Sequence, residues 1–209
     1  DDVRYFGTPT MVAEYESMVT NKMKSTMEGV SKEFVSISML QNVDEGIVEL
    51  TQPDYWVKAV DRFKEFLAGT GPRKRSTPMS VADYNLMVEA TDAEVDEASH
   101  LPYPQLLGVI QFPSAFTKLE MRFAVSTLSR FRGKWGMKHF AAALKALEYG
   151  YTTRHLGIKY TKPSDPQLTN VLIGYADSGF NEPRRQGCRV VMMTGCPLYT
   201  SDAAEDLRR

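Results

Sequence analysis

Apolar positions along this chain change period several times, and each change predicts an element. Met11, Val12, Tyr15, Met18, Val19 and Met23 recur at helical spacing over 10–28, with Thr8, Pro9 and Thr10 as start signals and Gly29 as the stop. Phe34, Val35, Ile37, Met39 and Val43 then alternate; Asp44-Glu45-Gly46 closes that run and Ile47-Val48-Glu49-Leu50-Thr51 follows, so a β-hairpin is expected. Pro53 opens a helix at its first turn, where a missing N–H costs nothing. Its apolar stripe is Trp56, Val57, Val60, Phe63 and Leu67, ended by Gly69 and Gly71. Residues 70–102 read as loop-rich. Helical spacing returns between Tyr103 and Tyr151 in three pieces: Leu106, Leu107, Val109 and Ile110 before Pro113; Phe123, Val125, Leu128 and Phe131 before Gly133; and Phe140, Leu144 and Leu147. After Lys162-Pro163 the period becomes two, with one strand at Val171, Leu172, Ile173 and Tyr175 and another at Cys188, Val190, Val191 and Met193. The break near 161–168 is the best domain boundary.

Composition changes this picture little, but charge distribution changes it more. The 209 residues are 43% hydrophobic with a formal net charge of -1, which argues against a strongly cationic nucleic-acid binder. That balance averages two segments of opposite sign. Residues 118–159 carry Lys118, Arg122, Arg130, Arg132, Lys134, Lys138, Lys145, Arg154 and Lys159 against Glu120 and Glu148. Residues 82–98 carry Asp83, Glu89, Asp92, Glu94, Asp96 and Glu97 and no Lys or Arg. A basic stripe of this kind either binds phosphates or is a solvated face. Cys188 and Cys196 do not make a disulfide framework, and the three histidines do not complete a zinc site. No apolar run approaches the ~20 residues that span a bilayer, and no signal-peptide pattern is present. Opening on Asp1-Asp2 without Met, the chain reads as a piece of something longer.

The order of the segments says more than any one of them. Glu49-Leu50-Thr51-Gln52-Pro53-Asp54-Tyr55, then Ala59-Val60-Asp61-Arg62-Phe63, then Ser76-Thr77-Pro78-Met79, resembles the copia family's run from L-x-Q-x-x-Y through a helix ending RF to TP(L/M). Tyr103-Pro104-Gln105-Leu106-Leu107-Gly108 is similar to its YRSxxGSLxY block. Thr117 to Ser126 stands where the family has TRPDIxFAVS, continued by Ser129-Arg130-Phe131 as SRF. His139, Ala142, Leu144, Leu147, Tyr149 and Thr152 follow H-x-x-A-x-x-x-x-L-x-YLKGT, and Leu156-Gly157-Ile158-Lys159-Tyr160 resembles GLxY. Gly174-Tyr175-Ala176-Asp177-Ser178-Gly179-Phe180 is similar to GYSDADW, and Arg184-Arg185-Gln186-Gly187 to RRSxxG. The chain departs from the pattern at Leu119 and Glu120 (Pro and Asp of TRPD), at the Leu-Lys of YLKGT, and at Gly179 (the second Asp of DAD). These mark a divergent element.

The resemblance is to the Pol polyprotein of copia-type LTR retrotransposons, from the end of reverse transcriptase through thumb and connection into the start of RNase H. It implies an α+β fold: a β-hairpin and helices of a polymerase palm and thumb, a helical connector, then the first antiparallel strands of an RNase H-like domain. The expected divisions are 1–68 (end of palm, start of thumb), 69–102 (loop-rich linker), 103–162 (helical thumb and connection) and 163–197 (start of RNase H). Leu198-Tyr199-Thr200-Ser201-Asp202-Ala203-Ala204 resembles a translated sequencing adapter, so 198–209 reads as a non-native tail.

By the same resemblance, Asp1 and Asp2 would be the tail of a Y-x-D-D turn and ligands of Mg²⁺, because polymerisation needs clustered carboxylates to hold two metals across the reacting phosphate. Asp177 would be the first-strand carboxylate of RNase H, also catalytic and metal-binding. Both sites are incomplete in this chain and expected to be inactive as cut. Arg73, Lys74, Arg75, Arg130, Arg132, Lys134, Lys138 and His139 are the expected contacts to an RNA/DNA template–primer duplex, with His139 a packing or phosphate-contact residue rather than a base. Solvent exposure is the plain alternative for the cations. Expected partners are that duplex and the rest of the polyprotein, without a membrane, in cytoplasmic virus-like particles with nuclear access. A non-catalytic nucleic-acid-binding module built on the basic helices is the competing reading.

Overall fold

The structure, a computed structural model, describes residues 5, 7–26, 29, 32–42, 44–67, 69 and 71–163, together with the backbone of two strands at 172–179 and 186–193. The expected tail at 198–209 lies outside the described residues.

Helix α1 (Pro9–Lys22) starts as the sequence predicts, with Pro9 at its first position and the Thr8 hydroxyl accepting from the Met11 N–H. It ends at Lys22, well short of Gly29, where Met23 turns extended and donates back to the Val19 carbonyl. None of its apolar residues is buried, so no tertiary packing extends it. Thr20 also turns its hydroxyl onto the Glu16 and Ser17 carbonyls, a local bond that competes with the helix.

Four antiparallel strands follow one another across a single sheet: β1 (Glu33–Phe34), β2 (Ile37–Asn42), β3 (Ile47–Thr51) and β4 (Ile158–Thr161). The expected hairpin is β2–β3, paired from Ser38 with Thr51 to Asn42 with Ile47. The alternating run before it is two strands rather than one. Val35 and Ser36, at φ 51° and 58°, make a tight turn between β1 and β2. That turn normally takes Asn or Gly, and a β-branched Val there hides it from a sequence reading. The edge strand β4 arrives after the whole helical region and pairs Ile158 with Leu50 and Lys159 with Glu49, whose side chains form an ion pair at 3.1 Å. Gly157 permits the approach, because a Cβ there would collide with the Leu50 carbonyl oxygen.

Helix α2 (Pro53–Arg62) buries Trp56, Ala59 and Val60, and Phe63 and Leu67 continue the same face. Val57 is 48% exposed, against expectation, because one residue beyond Trp56 turns it about 100° off the buried stripe. Two short helices, α3 (Val81–Asn85) and α4 (Asp92–Ala98), occur within the stretch that reads as loop. Their signals are present in the sequence: Ser80 caps the Asp83 N–H, and Thr91 and Glu94 form a reciprocal capping box. Helix α5 (Tyr103–Phe116) runs through Pro113 instead of stopping before it. The long α7 (Met137–Thr152) packs on α2, α5 and α6 (Arg122–Ser129), and around it lie Tyr103, Leu106, Leu107, Ile110, Met121, Leu128, Phe140, Ala143, Ala146 and Leu147.

A polar seam crosses this core where α5 and α7 end. Thr117 donates to Gln52 Oε1 at 2.5 Å, both residues buried. Lys118, only 1% exposed, donates to the carbonyl of Thr153 and to its hydroxyl at 2.9 Å, with Glu120 Oε1 at 3.6 Å. Burial pushes the Lys118 pKa down, against the opposing charge and hydrogen bond of Glu120. By itself, a hairpin of β5 (Leu172–Gly179) and β6 (Gln186–Met193) pairs antiparallel from Leu172 with Met193 to Gly179 with Gln186.

Candidate nucleic-acid interface

The exposed face of α6 is cationic. Packing of Ala124, Val125, Thr127 and Leu128 against the core leaves Arg122, Phe123, Ser126 and Arg130 outward, at helical spacing along one side. Arg132, in the turn that follows, is also exposed. Arg130 reaches only the Thr127 hydroxyl, at 3.4 Å, and among the described residues no carboxylate is found against Arg122, Arg130 or Arg132. Phe123, 52% exposed and next to Arg122 in the chain, packs on Tyr84 and adds an aromatic surface to this face. Arg122, which is absent from the expected contacts, also belongs to this surface; its place eight residues before Arg130 on one helix face is the signal for it.

The other expected contacts are distributed differently. The Arg73–Arg75 loop lies on the C-terminal half of α7. Glu148, a buried carboxylate, accepts from the Arg73 N–H at 3.0 Å and from Arg75 Nε at 2.7 Å. Arg75 is therefore held in a half-buried ion pair, while the Arg73 and Lys74 side chains are exposed. Lys134 and Lys138 stand at the other end of α7, about 15 Å away along the helix axis. The structure does not bring the two groups together.

The acidic segment lies along this end of α7. Lys134 faces Asp92 at 3.4 Å, Lys138 faces Glu94 at 3.4 Å, and Lys145 binds Asp83 at 2.6 Å. Lys138 and Lys145, seven residues apart, share one helix face. Burial pulls the Asp83 pKa up, but hydrogen bonds from Lys145 and Ser80 and the Lys145 charge outweigh it, so the carboxyl stays below its usual range. Glu94 is lowered by the Thr91 backbone N–H first and by Lys138 as well. The two segments of opposite charge seen in the sequence thus partly neutralise each other.

His139 is fully buried and cannot reach a phosphate in this conformation, which leaves it the packing role. Its Nδ1 accepts from the Gly136 N–H at 3.0 Å, and its ring lies against Phe131 and Tyr103. Burial, then the Lys138 charge, push its pKa below the ordinary 6.5. The folded protein therefore binds this proton less readily than the unfolded chain does. Stability present above about pH 6.5 is lost as pH falls from there through the folded pKa. His139→Gln keeps an acceptor for Gly136 and removes the titration. Melting temperatures measured between roughly pH 8 and pH 5 should fall less steeply for that variant; parallel curves would remove His139 as the cause.

Asp1 and Asp2 lie outside the described residues. Asp177 is two residues from the end of β5, paired with Cys188 on β6. Among the described residues no group of three His, Cys, Asp or Glu could hold a metal ion, so no donor set for Mg²⁺ is assembled there. No described helix is long and apolar enough to cross a membrane.

These features define an α+β protein in which a helical bundle joined to an antiparallel sheet presents an arginine face. Over 175 residues the chain is 25% identical to a protein of Saccharomyces cerevisiae named for the transposon Ty5-1; the match covers 83% of this chain and 53% of the yeast protein. The chain thus spans about half the length of that relative. This likeness supports a transposon-related role. No family model matches the chain, and no solved structure matches it.

Proposed function

We propose that this chain is part of a copia-type retrotransposon RNA-directed DNA polymerase, running from the end of reverse transcriptase into RNase H, and that its helical region holds the template–primer duplex by its phosphates. The observation that carries the reading is the likeness to the Ty5-1 transposon protein along 83% of the chain. Support also comes from the arginine face of α6 and from Asp177, which stands near the end of a strand in an antiparallel hairpin. In the intact enzyme Asp1, Asp2 and Asp177 would hold Mg²⁺ ions for nucleotide transfer and RNA-strand hydrolysis. The described residues offer no assembled donor set for the metal. The rest of the polyprotein would be its partner, in cytoplasmic particles with access to the nucleus.

The role of this chain's own residues is electrostatic. Arg122, Arg130 and Arg132 would contact phosphates, which gives affinity without sequence preference and makes binding fall steeply with salt. Binding of an RNA–DNA hybrid, followed by fluorescence anisotropy across a salt series, tests this. Arg122→Ala, Arg130→Ala and Arg132→Ala together should flatten the log–log salt slope by about two to three. An unchanged slope would reject the interface.

The competing reading, a non-catalytic nucleic-acid-binding module, rests on the same arginine face. Asp177→Asn in the longer polyprotein separates the two. Loss of RNA-strand cleavage with primer extension intact supports the enzyme, while undiminished cleavage leaves the module.

A further inference from the structure

Helix α4 lies over the start of α7 and presents acidic side chains to its lysines. Asp92 and Glu94 occupy Lys134 and Lys138, and Glu89, Asp96 and Glu97 add exposed negative charge around them. Apolar anchors fix the helix at both ends, Met87 and Ala90 before it, then Ala98 as its last residue and Leu101 beyond it, all buried. The Ala90 N–H also bonds to the Lys134 carbonyl at 3.2 Å. Its first turn is closed by the Thr91–Glu94 capping box. Between the anchors, Ala90 and the Glu94 backbone pack closely on Gly136 at the start of α7, so only the acidic side chains, held there by ion pairs, are exchangeable. The Lys134–Asp92 side chains are 53% and 91% exposed and those of Lys138–Glu94 25% and 43%, and both α4 pairs are 3.4 Å long, whereas Asp83 holds Lys145 at 2.6 Å. Exposed pairs of this kind contribute little stability and weaken in salt. A phosphate can therefore replace Asp92 and Glu94 while the buried anchors stay in place.

We infer that α4 is a built-in acidic cover over the basic start of α7, competing with nucleic-acid phosphates for Lys134 and Lys138. The inference rests on the nucleic-acid reading above and adds a regulation to it. The free protein keeps these lysines neutralised, and a duplex already engaged by the arginine face of α6 would recruit them by exchanging one anion for another. Affinity then rises in two stages, and the cover penalises weak or misplaced polyanions that cannot displace it.

The test uses the full chain carrying Asp92→Asn and Glu94→Gln, which preserve shape and leave the capping position an amide able to accept. Binding of a short RNA–DNA hybrid is measured across a salt series, with melting temperature as the folding control. Uncovered lysines should tighten binding roughly tenfold at low salt and steepen the salt slope by about two. Adding Lys134→Ala and Lys138→Ala to that background should cancel both gains. If the amide variant binds no more tightly than the original chain while the arginine variant still loses affinity, the cover is refuted and the interface stands. If the original chain and the amide variant both fail to bind, the nucleic-acid reading fails and the cover with it.

Discussion

Gly150→Ala should lower the stability of the fold, although helix propensity alone predicts the opposite. Gly150 lies inside α7, where replacing Gly with Ala normally gains about 1 kcal/mol. Here the face of Gly150 is occupied by the Trp56 indole from α2, and a Cβ would fall within 3.0 Å of three ring atoms. Trp56 is fully buried and α7 packs along α2, so neither partner can move away cheaply. Overpacking of this kind costs about 1–3 kcal/mol and occasionally more, which outweighs the propensity gain. The variant should melt several degrees lower, at ~2–4 °C per kcal/mol for a chain of this size. Gly150→Leu should prevent folding. The control is a double-mutant cycle with Trp56→Leu. If the steric account holds, the two changes together destabilise less than their sum, by about 0.5–3 kcal/mol; simple additivity would sink it.

A comparable loss is expected at Lys118, for an electrostatic reason. Lys118→Ala removes the donor to the Thr153 carbonyl and hydroxyl and takes the cation from beside Glu120, whose carboxylate keeps the Tyr149 hydroxyl as a hydrogen-bond partner. Breaking a buried pair from one side costs about 3–5 kcal/mol, because the charge left behind is not solvated. Glu120→Gln in the Lys118→Ala background should recover part of that loss, since it removes the charge left without its cation. Chemical denaturation of the two variants measures this. Equal stability of the single and double variants would mean that Glu120 is already solvated and that Lys118 acts only through Thr153.

Much of the helical architecture can be read from the apolar spacing. Trp56, Val60, Phe63 and Leu67 form the buried stripe of α2, and Leu106, Leu107, Ile110, Leu128, Phe140 and Leu147 are core residues, because helical periodicity survives any arrangement of the bundle. The β2–β3 hairpin is equally legible, since its pairing is local. β4 leaves no strand signal in the sequence: four residues with one buried side chain carry little pattern, and their partner is remote in sequence. Val35 and Ser36 hide a turn because they break turn chemistry. At the candidate interface, the cations at Lys134, Lys138 and Arg75 were visible, but their neutralisation by Asp92, Glu94 and Glu148 depends on tertiary placement. Only side-chain burial identifies Lys118 as part of the seam and His139 as a core residue.

The late arrival of β4 also fixes an order of assembly. β2 and β3 can pair as soon as they leave the ribosome, but the free edge of β3 receives its neighbour only after the helices have been synthesised and Gly157 has been delivered beside Leu50. Until then β3 exposes unpaired backbone donors and acceptors, the template on which chains add to one another as aggregates. Closing that edge requires a loop that spans the helical region, so bundle formation precedes and shortens the search. Sheet completion thus depends on the helices: a chain that misfolds its bundle keeps the β3 edge open, whereas the completed sheet ends on β4, a shorter edge of four residues that carries Lys159.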